Sequence, residues 1–299
     1  MKKFIFSLLA SVTLCAFANE EAPDIQEGWR SLRKDDAKAE KIFRANIAAA
    51  QDDSERFAAT LGLMYSLRYQ NKNAQVVKEI DTWLSEHQEA TNNQIAKLCA
   101  FKGNALRDTG KIDEALATYK KGFDAKSEDA SSLDCAKEYM WVSANNNKTD
   151  LTWAMYEASC QLPQAQNHAV YLVYGGWCMW KINKAEEGLK MLEAAEKISE
   201  MLPVHKEALY RNRGYIQRYL TKEYEAAVKT FEAALPHCTT DIQKAVIWNN
   251  IGGTLESAQE YEKALEAYKK ATAFNVKGWI ATSAANSVKR MQQKVDAGE

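Results

Sequence analysis

Apolar residues recur at spacings of three and four along most of the chain, from about Glu27 to Val295. This spacing places them on one face of an α-helix. Runs of Val, Ile or Thr that alternate with polar residues, which are typical of strands, are missing. The 299 residues include only four prolines and 13 glycines, so few residues interrupt a helix. The pattern predicts an all-α protein.

The clearest internal repeat runs from Trp248 to Asn275, and a second copy runs from Cys99 to Lys126. In each copy a glycine is followed after 12, 16 and 19 residues by a small, an aromatic and a small residue. These residues are Gly252, Ala264, Tyr268 and Ala271 in one copy and Gly103, Ala115, Tyr119 and Gly122 in the other. The spacing resembles the tetratricopeptide repeat, a hairpin of two helices that stacks on copies of itself.

Two further copies are looser. One keeps Gly176, Gly188, Leu192 and Ala195, and the other keeps Ala227, Phe231 and Ala234 behind Gly214 and a loop that we expect to be one residue longer. The small residues of the second helices are Ala39, Ala115, Gly188, Ala227 and Ala264, with separations of 76, 73, 39 and 37 residues. Because the first two separations are about twice the others, two more hairpins are expected in the gaps.

The resemblance implies a right-handed superhelical solenoid of about seven hairpins, covering residues 19–279. The best repeats are 97–126 and 246–275, the weaker ones 168–198 and 208–236, and the degenerate ones 27–50, 56–88 and 127–163. Segment 127–163 offers Tyr139, Met155 and Ala158 as packing residues. Residues 280–299 are the predicted capping helix, with an apolar stripe of Ile280, Ala284, Val288, Met291 and Val295.

The start of the chain has the layout of a secretory signal peptide. Lys2 and Lys3 precede an apolar run from Phe4 to Ala18, which is too short for a membrane-spanning helix, and the first acid follows at Glu20. We predict a signal peptide at residues 1–18 and an exported, bacterial-type protein that is periplasmic or secreted. A retained membrane anchor is the alternative. No later stretch is apolar enough to span a membrane.

Charge and motifs exclude several functions. The chain has 39 basic and 40 acidic residues, and loss of the two lysines in the signal peptide changes the net charge from −1 to about −3. Such a balance does not favour nucleic acid as a partner. We find no phosphate-binding loop, no metalloprotease or hydrolase motif and no zinc-finger spacing. The prediction is a protein that is not an enzyme, with no catalytic residue, cofactor or metal.

The four histidines, His87, His168, His205 and His237, are predicted at helix ends or in turns. A metal site at His237 and Cys238 is the minor alternative. Five cysteines follow the signal peptide: Cys99, Cys135, Cys160, Cys178 and Cys238. Their odd number leaves at least one thiol unpaired in an oxidising compartment. We expect Cys99 and Cys178 to be buried as small apolar residues. A bridge between Cys135 and Cys160 stays open.

In the family that the sequence resembles, the first helices of the hairpins line a concave groove that holds extended peptides. The glycine anchors place a set of side chains toward that groove: Asn104, Arg107, Trp177, Trp180, Lys181, Arg211, Tyr215, Arg218 and Asn249, with Gly253 and Glu256 beside them. Asparagine can bond a peptide backbone, arginine a carboxylate, and aromatic rings can cover apolar side chains. Packing between hairpins is the alternative role of Trp177, Trp180 and Tyr215.

The sequence therefore predicts a scaffold that binds an extended peptide or a partner protein, whose identity the sequence does not give. The alternative is a protein of the cell envelope that binds a glycan, a peptidoglycan fragment or another small ligand, with a possible catalytic role. In that case Tyr174, Trp177 and Trp180 would stack on sugar rings and a carboxylate such as Glu186 or Glu187 would act.

Overall fold

The structure is a computed structural model that describes residues 23–298. It divides into two compact units, one ending at Lys72 and the other beginning at Asn73. The predicted signal peptide, residues 1–18, lies outside the described residues. No strand occurs between residues 23 and 298, so the all-α fold class is confirmed.

Residues 23–298 form fifteen α-helices, which follow one another as seven successive pairs and a final helix. The first unit holds α1 (Ile25–Ser31), α2 (Asp36–Ala49) and α3 (Asp53–Tyr69). The second unit holds α4 (Asn73–Glu86), α5 (Asn92–Asp108), α6 (Ile112–Asp124), α7 (Ser131–Asn145), α8 (Thr149–Ser159), α9 (Ala169–Lys181), α10 (Ala185–Glu196), α11 (Pro203–Tyr215), α12 (Tyr224–Ala234), α13 (Asp241–Ser257), α14 (Tyr261–Ala273) and α15 (Trp279–Asp296).

The turn after every odd-numbered helix from α1 to α13 contains one residue in the left-handed region. These residues are Arg33, Asn71, Gly110, Asn147, Asn183, Lys222 and Gln259, with φ from 54° to 79°. In the turn after α9, the Asn183 N–H donates to the Trp180 carbonyl and the Lys184 N–H to the Met179 carbonyl, as in a Schellman motif. The left-handed residues recur every 36 to 39 residues. The backbone thus repeats with the period expected from the sequence.

Within a hairpin, a glycine of the first helix lies under a ring of the second. A Cβ on Gly103 would lie 2.4 Å from the Tyr119 ring, and one on Gly252 would lie 2.7 Å from the Tyr268 ring. Both rings are buried. Gly176 with Leu192 and Gly214 with Phe231 repeat the contact. Small residues at these crossings therefore allow the close approach of the helices that the repeat pattern predicts.

The hairpin of α7 and α8 keeps the geometry with different residues. Met140 stands seven residues before the left-handed residue of its turn, where the hairpins of α5, α9 and α13 have glycine. The buried small residues of α8 are Thr152 and Ser159, and their hydroxyls bond Ser143 (2.7 Å) and Tyr171 (2.7 Å). The expected packing residue Ala158 is exposed. The apolar pattern of the sequence does not give this register, because Thr152 and Ser159 are polar residues and are not counted as core positions.

The end of α11 differs from the expectation. The left-handed residue Lys222 follows Gly214 by eight residues instead of seven, and residues Ile216–Thr221 form a π-helical turn. The extra residue is therefore accommodated inside the helix and not in a longer loop. A π-turn holds one additional residue per turn, which rotates the side chains that follow it.

In the unit that begins at Asn73, the two layers of helices pack differently. α6 packs on α5 and α7, and α12 packs on α11 and α13, so a second helix joins its own hairpin to the next. First helices also pack side by side: α5 with α7, α7 with α9, and α9 with α11. The second helices described here make no comparable contact with one another. The layer with the closer neighbours is the inner side of a curved stack, so the first helices line the concave face.

The last helix, α15, closes the stack. Ile280, Ala284 and Met291 are buried, and Met291 packs with Ala264, Leu265 and Tyr268 of α14. The guanidinium of Arg290 forms two hydrogen bonds with Glu256 of α13, at 2.9 and 2.7 Å. Through this apolar stripe α15 covers the end of α14, as the sequence predicts for a capping helix.

Candidate ligand-binding surface

Five aromatic side chains form a continuous row along α7, α9 and α11. Trp141, Trp177 and Tyr215 each stand one residue after the anchor position of their helix. Trp180 lies one helical turn beyond Trp177, and Tyr219 lies on the π-turn. We call these five residues the aromatic ladder. Ring centroids are separated by 6.4 Å from Trp141 to Trp177, 6.1 Å from Trp177 to Trp180, 5.0 Å from Trp180 to Tyr215 and 6.3 Å from Tyr215 to Tyr219.

The ladder rings both pack and face solvent. Trp141, Trp177, Trp180 and Tyr215 are half-buried, and Tyr219 is 42 % exposed. Tyr215 also packs on the Phe231 ring of α12, at 5.7 Å. The two roles weighed for these residues, packing between hairpins and an accessible binding face, are therefore combined in the same side chains. Rings held on one side by the core offer area to a ligand at little cost in conformational entropy.

Cationic side chains lie over the rings. The Arg107 guanidinium is 5.3 Å from the Trp141 centroid, the Lys181 ammonium is 5.9 and 5.8 Å from Trp177 and Trp180, and the Arg218 guanidinium is 4.6 Å from Tyr219. Arg211 lies 6.0 Å from the Tyr215 centroid, and Lys137 lies 5.6 Å from that of Tyr174. These distances are within the range in which a cation is attracted to a ring face.

The cations fall into two classes. Arg107 forms ion pairs with Asp108 and Glu138, and Arg211 forms one with the buried Glu207, at 2.7 Å. Burial alone would lower the pKa of Arg211, but Glu207 reverses that effect, so the pKa lies above its ordinary value. Among the described residues, no carboxylate forms an ion pair with Lys181 or Arg218. Arg218 still interacts electrostatically with Glu256: burial would raise the pKa of Glu256, but hydrogen bonds from Arg290 and Tyr268 outweigh burial and hold that pKa below its ordinary value. Lys181 is therefore the cation of the ladder with the least compensation by nearby acids.

A small pocket opens between the first helices of three hairpins. Its volume is about 230 Å³, and its lining comprises Trp141, Val173, Tyr174, Trp177, Ala208, Arg211 and Asn212. The Asn212 amide donates to the Val173 carbonyl at 3.0 Å and thereby ties α11 to α9. Tyr174, at 40 % exposure, forms an accessible part of the wall. The pocket is smaller than the clefts that hold drug-sized ligands, which measure about 300–1,000 Å³.

Two of the predicted groove residues stand apart from the ladder. Asn104 accepts a hydrogen bond from the Tyr119 hydroxyl at 2.8 Å and serves its own hairpin. Asn249 lies on α13, where its side-chain oxygen is buried without a hydrogen bond. Gly253, also on α13, leaves room for the Arg218 guanidinium, because a Cβ there would lie 2.5 Å from one of its nitrogens. Glu256 bonds Tyr268 and Arg290 and belongs to the capped end of the stack.

Sequence reasoning missed Trp141, Lys137 and Tyr219. The glycine anchors could not place the first two, because Met140 occupies the anchor position of α7. The Asn-rich turn after α7 gives the missing signal, since counting back seven residues from Asn147 brings α7 into register with α9. Tyr219 reaches the ladder through the π-turn, which no spacing in the sequence announces.

Other candidate chemistry is located elsewhere. Glu186 lies on α10, a second helix, and is paired with Lys190 at 2.6 Å. The histidines lie at helix ends: His87 follows α4, His168 caps α9, His205 is in the first turn of α11, and His237 ends a short 3-10 turn. Residues 23–298 contain no group of three or more His, Cys, Asp or Glu residues arranged to hold a metal ion. Within the same range, no helix has the length and apolar character needed to cross a membrane.

The sequence model of the tetratricopeptide repeat matches residues 96–129 and 245–275. No curated protein matches the chain. A tetratricopeptide repeat protein from Parabacteroides merdae is similar over 90 % of this chain and 97 % of its own, with 14 % identity and a TM-score of 0.56.

Two further structures are similar in the same way. The C-terminal part of a repeat-containing protein from Cytophaga hutchinsonii covers 87 % of this chain and 99 % of its own, with 13 % identity and a TM-score of 0.54. PilF from Pseudomonas aeruginosa covers 70 % and 99 %, with 16 % identity and a TM-score of 0.52. At these identities the likeness shows the fold alone. The two matched repeats and these neighbours support the resemblance to the tetratricopeptide repeat family, whose fold this chain has.

Proposed function

We propose that this protein is a non-catalytic scaffold that holds an extended segment of a partner protein against the aromatic ladder. One observation carries the proposal: half-buried rings from three successive hairpins share the concave face with the cations Lys181 and Arg218, neither of which forms an ion pair with a carboxylate among the described residues. A repeat fold of this kind is suited to binding other proteins, because its stacked hairpins expose one long surface.

The dimensions favour an extended segment. Packed helices are about 8–10 Å apart, so the first helices of three hairpins span about 20 Å. An extended chain advances about 3.3 Å per residue, so about six residues cover the ladder. The pocket between α7, α9 and α11 would take one side chain of that segment. A folded ligand with a convex surface would reach fewer of the rings at once.

The charges favour a segment with acidic and apolar side chains. Lys181 and Arg218 each offer a positive charge beside a ring, and the rings cover apolar groups. A basic segment would place its charges against these cations and would be disfavoured. We therefore propose a ligand with at least one Asp or Glu next to an aromatic or aliphatic residue.

We also propose export, with residues 1–18 removed and the scaffold working in the periplasm or outside the cell. The basis is the sequence alone: two lysines, a short apolar run and small residues before the first acids. N-terminal sequencing of the protein recovered from the periplasmic and extracellular fractions tests this. The expected first residue is Asn19, and recovery only of full-length protein in the cytoplasm would contradict it.

Site-specific photo-cross-linking in cells tests the scaffold. A benzoylphenylalanine in place of Tyr174 lies on α9 beside the ladder, and one in place of Leu151 lies on α8, a second helix. Both side chains are 40 % exposed, so the two positions differ in place and not in accessibility. We expect one dominant protein to be cross-linked from position 174 and not from position 151.

Charge reversal then identifies the surface. Lys181→Glu should abolish that cross-link, whereas the control Lys269→Glu, at an exposed lysine of α14, should leave it unchanged. Equal helical content by circular dichroism shows that both variants fold. A cross-link that is insensitive to Lys181→Glu, or that forms equally from position 151, would place the binding surface elsewhere. Failure of any protein to cross-link at position 174 would contradict the scaffold.

A further inference from the structure

Two cysteines of neighbouring hairpins meet at one point of the core. The Cys135 thiol, on α7, donates a hydrogen bond to the Ala96 carbonyl of α5 at 3.2 Å. Cys99 follows Ala96 by three residues and lies on the same side of α5. Both cysteines are buried. The sulfur of Cys135 is therefore lodged against the helical turn that carries Cys99.

Gly122 of α6 marks the place where they meet. A Cβ on this glycine would lie 2.4 Å from the Cys135 sulfur and 2.7 Å from the Cys99 Cβ, so these two atoms are at most about 5 Å apart. Glycine inside a helix costs about 1 kcal/mol relative to alanine. Here it leaves open the space between the two cysteine side chains, which any larger residue would fill.

We infer that Cys99 and Cys135 are the site of a disulfide that joins α5 to α7, the first helices of adjacent hairpins. The structure holds both as thiols, and a rotation of the Cys99 side chain brings its sulfur toward that of Cys135. The bond forms by thiol–disulfide exchange with oxidised glutathione or a protein disulfide. The two cysteines lose two protons and two electrons, and the reagent disulfide is reduced to two thiols.

The other cysteines lie in different surroundings. Cys160 caps the C-terminus of α8, and its sulfur contacts the Glu157 carbonyl and the Gln161 amide. Cys178 is fully buried in α9, and Cys238 bonds the Ala234 carbonyl. The bridge within one hairpin, Cys135 to Cys160, is disfavoured because the Cys135 sulfur points to α5 and not along its own hairpin.

The burial of the pair determines when the bond can form. Burial raises the pKa of both thiols, so the reactive thiolate is scarce in the folded state, and the oxidant has no access. We therefore expect exchange while α5 and α7 are still unpacked, and a bond that resists reductants afterwards. It would fix α7, which carries Trp141 of the ladder, relative to α5.

Peptide mapping tests the pairing directly. The full chain is unfolded, refolded in a buffer of reduced and oxidised glutathione, alkylated under denaturing conditions and digested with trypsin. We expect the peptides of residues 98–102 and 127–137, which contain Cys99 and Cys135, to be recovered as one species that separates on reduction. Recovery of both as alkylated thiols, or linkage of either to another cysteine of the chain, would overturn the proposal.

A second measurement follows stability. Reduction under denaturing conditions, followed by refolding without oxidant, should lower the melting temperature by about 5 °C or more in the wild type. The control Cys160→Ser retains the pair and should show the same loss. Cys99→Ser removes it and should melt at the same temperature with and without oxidant. An equal response of Cys99→Ser and wild type would contradict the bond. None of these readouts depends on export or on the scaffold partner.

Discussion

The hairpins that match the repeat family and the hairpins that carry the ladder are different parts of the molecule. The family match covers α5 with α6 and α13 with α14. The ladder lies on α7, α9 and α11, where the pattern is interrupted by Met140, by looser spacing and by a π-turn. In the matched hairpins, Asn104 serves its own hairpin by accepting a hydrogen bond from Tyr119, and Arg107 reaches the ladder, over the Trp141 ring. Departures from the repeat therefore mark the candidate binding surface better than agreement with it.

The contrast predicts that aromatic residues of the two regions differ in what they stabilise. Tyr268 is buried over Gly252 and bonds Glu256, so Tyr268→Ala should cost about 3–5 kcal/mol in the free energy of unfolding. Trp177 is half-buried, and Trp177→Ala should cost less, about 2 kcal/mol. Urea unfolding followed by circular dichroism measures both. Equal losses would mean that the ladder is ordinary core.

A second prediction separates the two classes of cation on the ladder. Arg211→Ala leaves the buried carboxylate of Glu207 without its partner and should cost about 3 kcal/mol. Arg218→Ala breaks no ion pair with a carboxylate and should cost less than about 1 kcal/mol. Denaturant unfolding again measures the difference.

The control for this prediction is the pair Glu207→Gln and Arg211→Ala in one chain. Because the glutamine carries no charge, the double variant should be more stable than Arg211→Ala alone. If Arg218→Ala proves the more destabilising single change, Arg218 is a packing residue and not a ligand-binding cation. Binding experiments should therefore use Lys181 and not Arg211, whose substitution would confuse binding with folding.

A pH titration tests how the central helix of the ladder is held. His168 caps α9, and its Nδ1 accepts the Tyr171 N–H at 3.0 Å. Burial lowers the pKa of His168; Asp134 opposes this shift, while Lys137 adds to it. The folded state thus binds a proton less readily than the unfolded state, so stability is full above about pH 6.5 and is lost as the pH falls below it. We expect a loss of about 1 kcal/mol between pH 7 and pH 5.

The matched variant His168→Asn keeps a side-chain acceptor at the cap and removes the titration. Its stability should fall less than that of the wild type over the same range. The pKa of His205 is also lowered by burial, but this residue is present in both proteins and cancels in the difference. Identical pH profiles would show that the cap at His168 contributes nothing.

Most of the fold could be predicted from the sequence, because a few small residues fix the register of the hairpins that begin with α5, α9, α11 and α13. Gly103 and Gly252 lie under the rings of Tyr119 and Tyr268, as their spacing in the sequence predicts. The left-handed residues of the turns recur with the same period as the repeats. The all-α class and the capping helix needed only the apolar pattern.

The candidate surface was predicted less completely, for physical reasons. Trp141 was missed because α7 has Met140 at the anchor position where α5, α9 and α13 have glycine. Without that glycine, α7 could not be aligned with the other first helices. Asn104 was placed in the groove because spacing gives the face of a helix but not the hydrogen bond that a neighbouring hydroxyl already makes. The π-turn contacts α10 and α12, and the spacing of residues in the sequence does not show such tertiary contacts.

The smallest effect concerns the turns that both regions share. Gln259, between α13 and α14, has φ of 63°, and Gly110, between α5 and α6, has φ of 79°. A side chain in this region is strained by about 1 kcal/mol, and glycine removes the strain but makes the unfolded chain more flexible. We expect Gln259→Gly to stabilise the protein by about 0.5 kcal/mol, measured as a rise in melting temperature. Gly110→Gln should lower the melting temperature by a similar amount, because it replaces glycine by glutamine at the equivalent left-handed position of the other matched repeat. A lower melting temperature for both variants would show that the turn conformation does not limit stability.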